Sequence, residues 1–310
     1  MRPPEIMRHE FRAMNTDCLI AVPAANGNAT EQISAAEGTI RDYESRFSRF
    51  LPWSDLMQLN NSPATEVPVT GELALILGRA LWYARLTDGV FDPVVLTDLQ
   101  SIGYDRSFEE LPARTEAAPA GLRRFCWTDI EVDGPRRVVR RPSGALLDLG
   151  GFAKGAAADE AFARLAPQAA ALVDLGGDIR AGGEPEEERG WFIGLDDGEG
   201  QIRDVVELNC GAVATSSTAK RRWMNGASPV HHVIDPRTGR PARSGARQCS
   251  VLADTAEHAE VGAKVGLILG PGSLSENDGI ARELGVRGFA WITEAGKYQA
   301  TPGWTSACVN

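Results

Sequence analysis

The residues best suited to chemistry lie in Asp148-Leu149-Gly150-Gly151-Phe152-Ala153-Lys154-Gly155-Ala156-Ala157-Ala158-Asp159. A carboxylate, a glycine pair and a lysine stand close together here. Glycine lets backbone N–H groups approach a ligand closely, and a helix N-terminus favours anionic groups such as phosphate. Lys154 adds a cation at that end, where the helix dipole alone does not ask for one. The stretch therefore reads as a site for an anionic cofactor. An ordinary strand–turn–helix joint is the alternative, because glycine-rich turns are common.

Other segments carry further groups. Val173-Asp174-Leu175-Gly176-Gly177-Asp178 echoes Leu147-Asp148-Leu149-Gly150-Gly151. The echo suggests two neighbouring strands that end in glycine turns at one cleft. Ala214-Thr215-Ser216-Ser217-Thr218 is a strand running into hydroxyl-bearing residues. Lys220-Arg221-Arg222 is a basic cluster in an acidic chain, either a solvated loop or a phosphate clamp. His231 and His232 stand beside Ile234-Asp235-Pro236. Histidine exchanges a proton near neutral pH, and strand alternation points only one of the two at a site. Phe50 and Trp53 are stacking candidates, with core packing the favoured reading for Trp53. Asp92, held extended before Pro93, suits a turn cap or a ligand hydroxyl. Glu260 and Lys264 share a helix face. That face continues through the apolar Leu267 and Ile268, which favours a specific partner over a solvated pair.

The elements that must position these groups follow from periodicity. Ala145–Leu149 reads as a buried strand, and Ala158, Ala161, Phe162 and Leu165 mark the helix after it. Glu10–Val22 reads as one first strand with Met14-Asn15-Thr16 inside it. Helices are expected over Glu31–Phe47, Thr70–Thr87 and Thr255–Leu269, and Ser54 is placed to cap a short one. Asp133-Gly134 between Trp127–Val132 and Arg137–Arg140 signals a hairpin. Trp191–Leu195, Val205–Leu208, Gln248–Leu252 and Gly288–Thr293 read as strands. Residues 110–121 read as a surface connector and 184–188 as an acidic tip.

The chain has 310 residues, 43% hydrophobic and 24% charged, with a net charge of −10. Such a balance fits a globular enzyme and argues against a nucleic-acid or anionic-membrane surface. The cysteines Cys18, Cys126, Cys210, Cys249 and Cys308 show no metal-ligand spacing and no disulfide framework. No stretch is apolar enough to span a bilayer, and the N-terminus lacks a signal-peptide core. A cytoplasmic location is expected.

Taken in order, the motifs resemble the ApbE-type flavin transferases (FAD:protein FMN transferases). The supporting segments are Ser48–Pro52 through Asn60, Gly89–Pro93, Asp148–Asp159, Val173–Asp178, Ala214–Ser216, His231–Gly239 and Ala256–Gly270. The resemblance implies one α+β domain over residues 1–310, with a central mixed or antiparallel sheet and outer helices, T-fold-like, and the cofactor in a cleft. It implies an enzyme that splits FAD at the pyrophosphate, releases AMP and joins FMN to a threonine or serine of an acceptor flavoprotein. An FAD pyrophosphatase and a non-catalytic FAD-binding or delivery protein are the alternatives.

The matching FAD-contacting positions are Met14, Phe50, Phe91, Asp92, Asp148, Lys154, Asp178, Thr215, Ser216 and Ile234. His232 and Asp235 hold the catalytic positions, with His232 the candidate for the acceptor's proton. The resemblance places magnesium at Gly151, Glu260 and Lys264, where the family helix reads Ala-Asp-x-x-x-Thr. Glutamate still offers oxygen to a hard cation, but an ammonium has no acceptor and cannot ligate. Lys264 is thus expected to replace the metal and to bridge Glu260 and the pyrophosphate. Ser217 stands where the family usually has glycine.

Overall fold

The computed structural model describes residues 5–24, 28–111, 125–165, 170–185 and 189–305. The connector expected at 110–121 and the tip at 184–188 lie largely outside them. The fold is α+β, and the chain divides into two compact units.

The first unit comprises Met1–Glu44, Phe152–Ser217 and Gly245–Asn310. Its centre is an eight-stranded, wholly antiparallel sheet. Its order is Ile6–Ala13, Thr16–Pro23, Ala171–Leu175, Asp178–Gly182, Cys210–Ser217, Ala246–Ala253, Val286–Thr293 and Tyr298–Ala300. Side chains alternate across a strand, so the sheet buries two faces. One face packs Leu172, Ile179, Ala181, Val213 and Leu252 against the hairpin Trp191–Asp196/Ile202–Leu208, through Trp191, Ile193, Leu195, Val206 and Leu208. The other carries the helices Ala153–Arg164 and Ala256–Leu269. Small residues set that second contact. A Cβ on Gly266 would lie 2.6 Å from Cys249 Sγ, and one on Gly262 3.2 Å from Val251 Cγ1.

The expected single strand Glu10–Val22 is in fact a hairpin. Met14 (φ 51°) and Asn15 (φ 58°) turn the chain in the left-handed region, as a two-residue type I′ connection requires. Asparagine tolerates that geometry; methionine gives no sequence signal for it. The expected pairing of Leu147–Leu149 with Leu172–Leu175 as neighbouring strands does not occur. Instead, Gly176 and Gly177, at φ 70° and 95°, close a tight hairpin between Ala171–Leu175 and Asp178–Gly182.

The second unit comprises Ser45–Gly151 and Thr218–Ser244. Ser54 and Thr70 cap its helices Asp55–Asn61 and Gly71–Leu86 by accepting from Met57 N (3.1 Å) and Leu73 N (3.2 Å). Strands Glu66–Pro68, Val138–Arg140 and Glu131–Asp133 form a small sheet, which includes the expected hairpin. Trp127–Asp129 is a 3-10 turn rather than part of that hairpin. Ala145–Leu149 is buried but forms no strand. The Asn60 side chain takes the ladder's place, accepting from Leu147 N at 2.9 Å and donating to Leu147 O at 2.8 Å. Backbone groups need partners, and a side-chain amide supplies them as well as a strand does. Trp53, expected in the core, is 67% exposed.

Candidate functional site

Two constellations gather most of the candidate residues. In the first unit the Lys154 helix crosses the Glu260 helix at a separation only glycine allows. A Cβ on Gly155 would stand 2.4 Å from Ala256 O and 2.7 Å from Glu257 Cα. This close crossing brings Glu260 onto the start of the other helix. Its Oε2 accepts from Gly155 N at 2.8 Å and its Oε1 from Lys154 Nζ at 2.6 Å. The same ammonium donates to Asp178, which leads the strand after the Gly176-Gly177 turn. The Asp178 and Glu260 side chains are 5% and 3% exposed.

Burial by itself would lower the Lys154 pKa, but the charges of Asp178 and Glu260 outweigh it and hold the ammonium above its ordinary value. Burial pushes the Asp178 carboxyl up to about 7, against the pull of Lys154 and with the repulsion of Glu260. The positive charge of Lys264 also acts on Asp178. Glu260 is therefore held by Lys154 and Gly155, where the sequence pointed to Lys264. Thr215, at the end of its strand, shares a 2.8 Å hydrogen bond with Ser250 Oγ, and Ser216 follows it half-buried. Met14, on the hairpin turn, donates its N–H to Glu44 Oε1 at 2.7 Å.

In the second unit Asp148 accepts from Arg49 Nε at 2.7 Å and from Gly150 N at 2.7 Å. The Arg49 guanidinium lies between two rings, 4.2 Å from the Phe50 centroid and 4.3 Å from that of Tyr104, and donates to Tyr104 O at 2.9 Å. Tyr104 touches His232 edge-on, with centroids 6.3 Å apart, and packs with Leu99, Ile102 and Ile234. Phe50 and Trp223 border this cluster. The structure thus links Asp148, Phe50, His232 and Ile234 through two residues that carried no assigned role, Arg49 and Tyr104. Arg49 adjoins Phe50 in sequence, and a guanidinium beside an aromatic residue was the available signal.

The remaining candidates sit in structural bonds. Asp92 is buried and caps its own turn, accepting from Val94 N at 2.7 Å and from Trp127 N at 3.1 Å. Phe91 packs edge-on against Tyr83. Asp235 grips Arg237 through Nε and Nη2, both at 2.9 Å, and its carbonyl closes the Thr238-Gly239 turn. Gly151 belongs to the second unit, just before the Lys154 helix.

The magnesium set implied by the resemblance does not fit these residues. Lys264 offers no lone pair, and the Lys154 ammonium already lies 2.6 Å from Glu260 Oε1, where its charge opposes a divalent ion. Among the described residues no group of three or more histidine, cysteine, aspartate or glutamate side chains is arranged to hold a metal.

The three-layer sheet unit and the ordered motifs have a counterpart among known proteins. The chain belongs to the ApbE family, which it matches over residues 14–278. It is 31% identical over 234 residues to a FAD:protein FMN transferase of Treponema pallidum, covering 68% of this chain and 64% of that one. A FAD:protein FMN transferase of Rhodobacter capsulatus is 32% identical over 237 residues, 74% of this chain and 44% of the relative. The chain thus spans less than two thirds of either relative. The crystal structure of the ApbE protein from Thermotoga maritima superposes with a TM-score of 0.81 at 26% identity, covering 96% of this chain and 97% of that one.

Proposed function

We propose that this protein is an FAD:protein FMN transferase whose two units act as one functional domain. The carrying observation is that the family match, residues 14–278, contains every candidate site segment and both side-chain constellations. In the reaction, an acceptor threonine or serine Oγ bonds to the FMN phosphorus of FAD. The bond from that phosphorus to the bridging oxygen breaks, AMP leaves with that oxygen, and the hydroxyl proton passes to a base. Catalysis of such a transfer rests on positioning and on stabilising phosphate charge.

Met14, Phe50, Phe91, Asp92, Asp148, Lys154, Asp178, Thr215, Ser216 and Ile234 are the proposed FAD contacts. His232 is the proposed base, and Asp235 supports its loop by fixing the Asp235–Gly239 turn. Lys154 brings the positive charge, tempered by its two carboxylates. No step is routed through magnesium, because the residues at its implied position do not suit it. The acidic composition and the free thiols of Cys18, Cys126, Cys210 and Cys249 support a reducing, cytoplasmic setting.

The test is incubation with FAD and a flavin-free acceptor domain that an established family member modifies, followed by intact mass and nucleotide analysis. A mass gain of one FMN with release of AMP is expected. Free FMN and AMP without a mass gain would make the protein a pyrophosphatase. Bound, unconsumed FAD would make it a binding or delivery protein.

A further inference from the structure

We propose that the cluster of Lys154, Asp178, Glu260 and Lys264 is a metal-free charge centre, with the Lys154 ammonium as its resident cation and no divalent ion bound at Glu260. That the centre faces the phosphates of FAD rests on the transferase reading; its metal-free state does not.

Three observations carry it. The first is charge: the Lys154 ammonium lies against both buried acids, so each already has a positive partner. The second is geometric. Lys154 Nζ bonds both Asp178 and Glu260, and Glu260 uses its other oxygen on Gly155 N. Magnesium takes near-octahedral oxygen ligands at about 2.0–2.1 Å. At Glu260 it would share the carboxylate with the Lys154 ammonium and set a doubly charged ion beside that cation. The third is rigidity. The missing Cβ of Gly155 lets the two helices cross closely against Ala256 and Glu257, which holds the Glu260 carboxylate on the Gly155 amide. Glutamate is one methylene longer than the family's aspartate, and here its two oxygens contact Lys154 and the Gly155 amide.

The cation of this centre is therefore part of the chain itself, independent of metal availability. Lys264, one helical turn beyond Glu260, adds a second positive charge that acts on Asp178.

The experiment uses the full chain without flavin. Magnesium chloride is titrated calorimetrically, and thermal unfolding is followed with magnesium and with chelator. The wild type is expected to show no saturable binding and the same Tm in both. The double variant Glu260→Asp with Lys264→Thr is expected to gain one magnesium site and a Tm that falls on chelation; Lys264→Thr alone serves if the double variant folds poorly. Stoichiometric magnesium binding by the wild type, abolished in Glu260→Gln, would overturn the proposal. So would a variant set that gains no site, since the lysines would then not be what keeps the ion out.

FAD binding is read separately by flavin fluorescence. Chelator is expected to leave affinity unchanged, and a loss of about tenfold or more, equivalent to about 1.4 kcal/mol, would also count against the proposal. If FAD does not bind at all, the transferase reading fails while the magnesium titration still decides the charge centre.

Discussion

At the scale of single residues, the ionised groups are defined by their partners. Asp178 shows this in its titration. Its folded pKa is raised from 3.8 to about 7, chiefly by burial. The folded protein therefore holds this proton more tightly than the unfolded chain does. The resulting stability is complete below the unfolded value and is lost as pH rises through about 7. Asp178→Asn keeps the neutral form at every pH. Its stability relative to wild type is expected to improve across that window, by at most about 1.4 kcal/mol per pH unit, in denaturant titrations at stepped pH. His232 is a different case, because its aromatic contact is the Tyr104 edge. His232→Ala is expected to slow FMN transfer by roughly 10²–10⁴-fold while leaving the FAD dissociation constant near wild type. Normal turnover in that variant would make the ring a packing element only.

At the scale of elements, the crossing of the Lys154 and Glu260 helices decides whether the charge centre exists. Gly155→Ala must push Ala256 O away from a contact of 2.4 Å. Such overpacking costs about 1–3 kcal/mol, and it also separates Glu260 from the Gly155 amide. A lower denaturation midpoint together with weaker FAD binding is expected. Gly38 is the control. It is exposed on the helix Ala29–Phe47, and a Cβ there meets nothing within 4 Å. Gly38→Ala is expected to raise stability by about 0.5–1 kcal/mol with no change in flavin binding. A neutral Gly155→Ala would show that the helices are free to slide and that the crossing does not position the site.

At the scale of the whole molecule, the proposed contacts include aromatic and aliphatic groups (Phe50, Ile234) and hydroxyl and cationic groups (Thr215, Ser216, Lys154). A ligand using both kinds has a planar ring system and a pyrophosphate. The protein is expected to bind FAD more tightly than FMN or riboflavin in equilibrium titrations. Equal affinity for FMN would remove the basis for recognition of the full dinucleotide.

The sequence by itself determined the long helices, the Ser54 cap of a short one, most of the strands, and the family. These rest on local periodicity and on hydrogen bonds between near neighbours, which a linear reading contains. It also singled out Asp148–Asp159 as a candidate site stretch. It misread Glu10–Val22, because a methionine in the left-handed region leaves no mark in sequence. It misread Ala145–Leu149, because the Asn60 amide that replaces a strand partner comes from far along the chain. Only the tertiary structure decided the pairings. Lys154 meets Glu260 across 106 positions of chain, and Arg49 meets Asp148. Helical spacing had offered Glu260 a nearer partner in Lys264. Spacing shows which side chains share a face; the packing of a second helix, made close by one glycine, is what brought Lys154 onto that face.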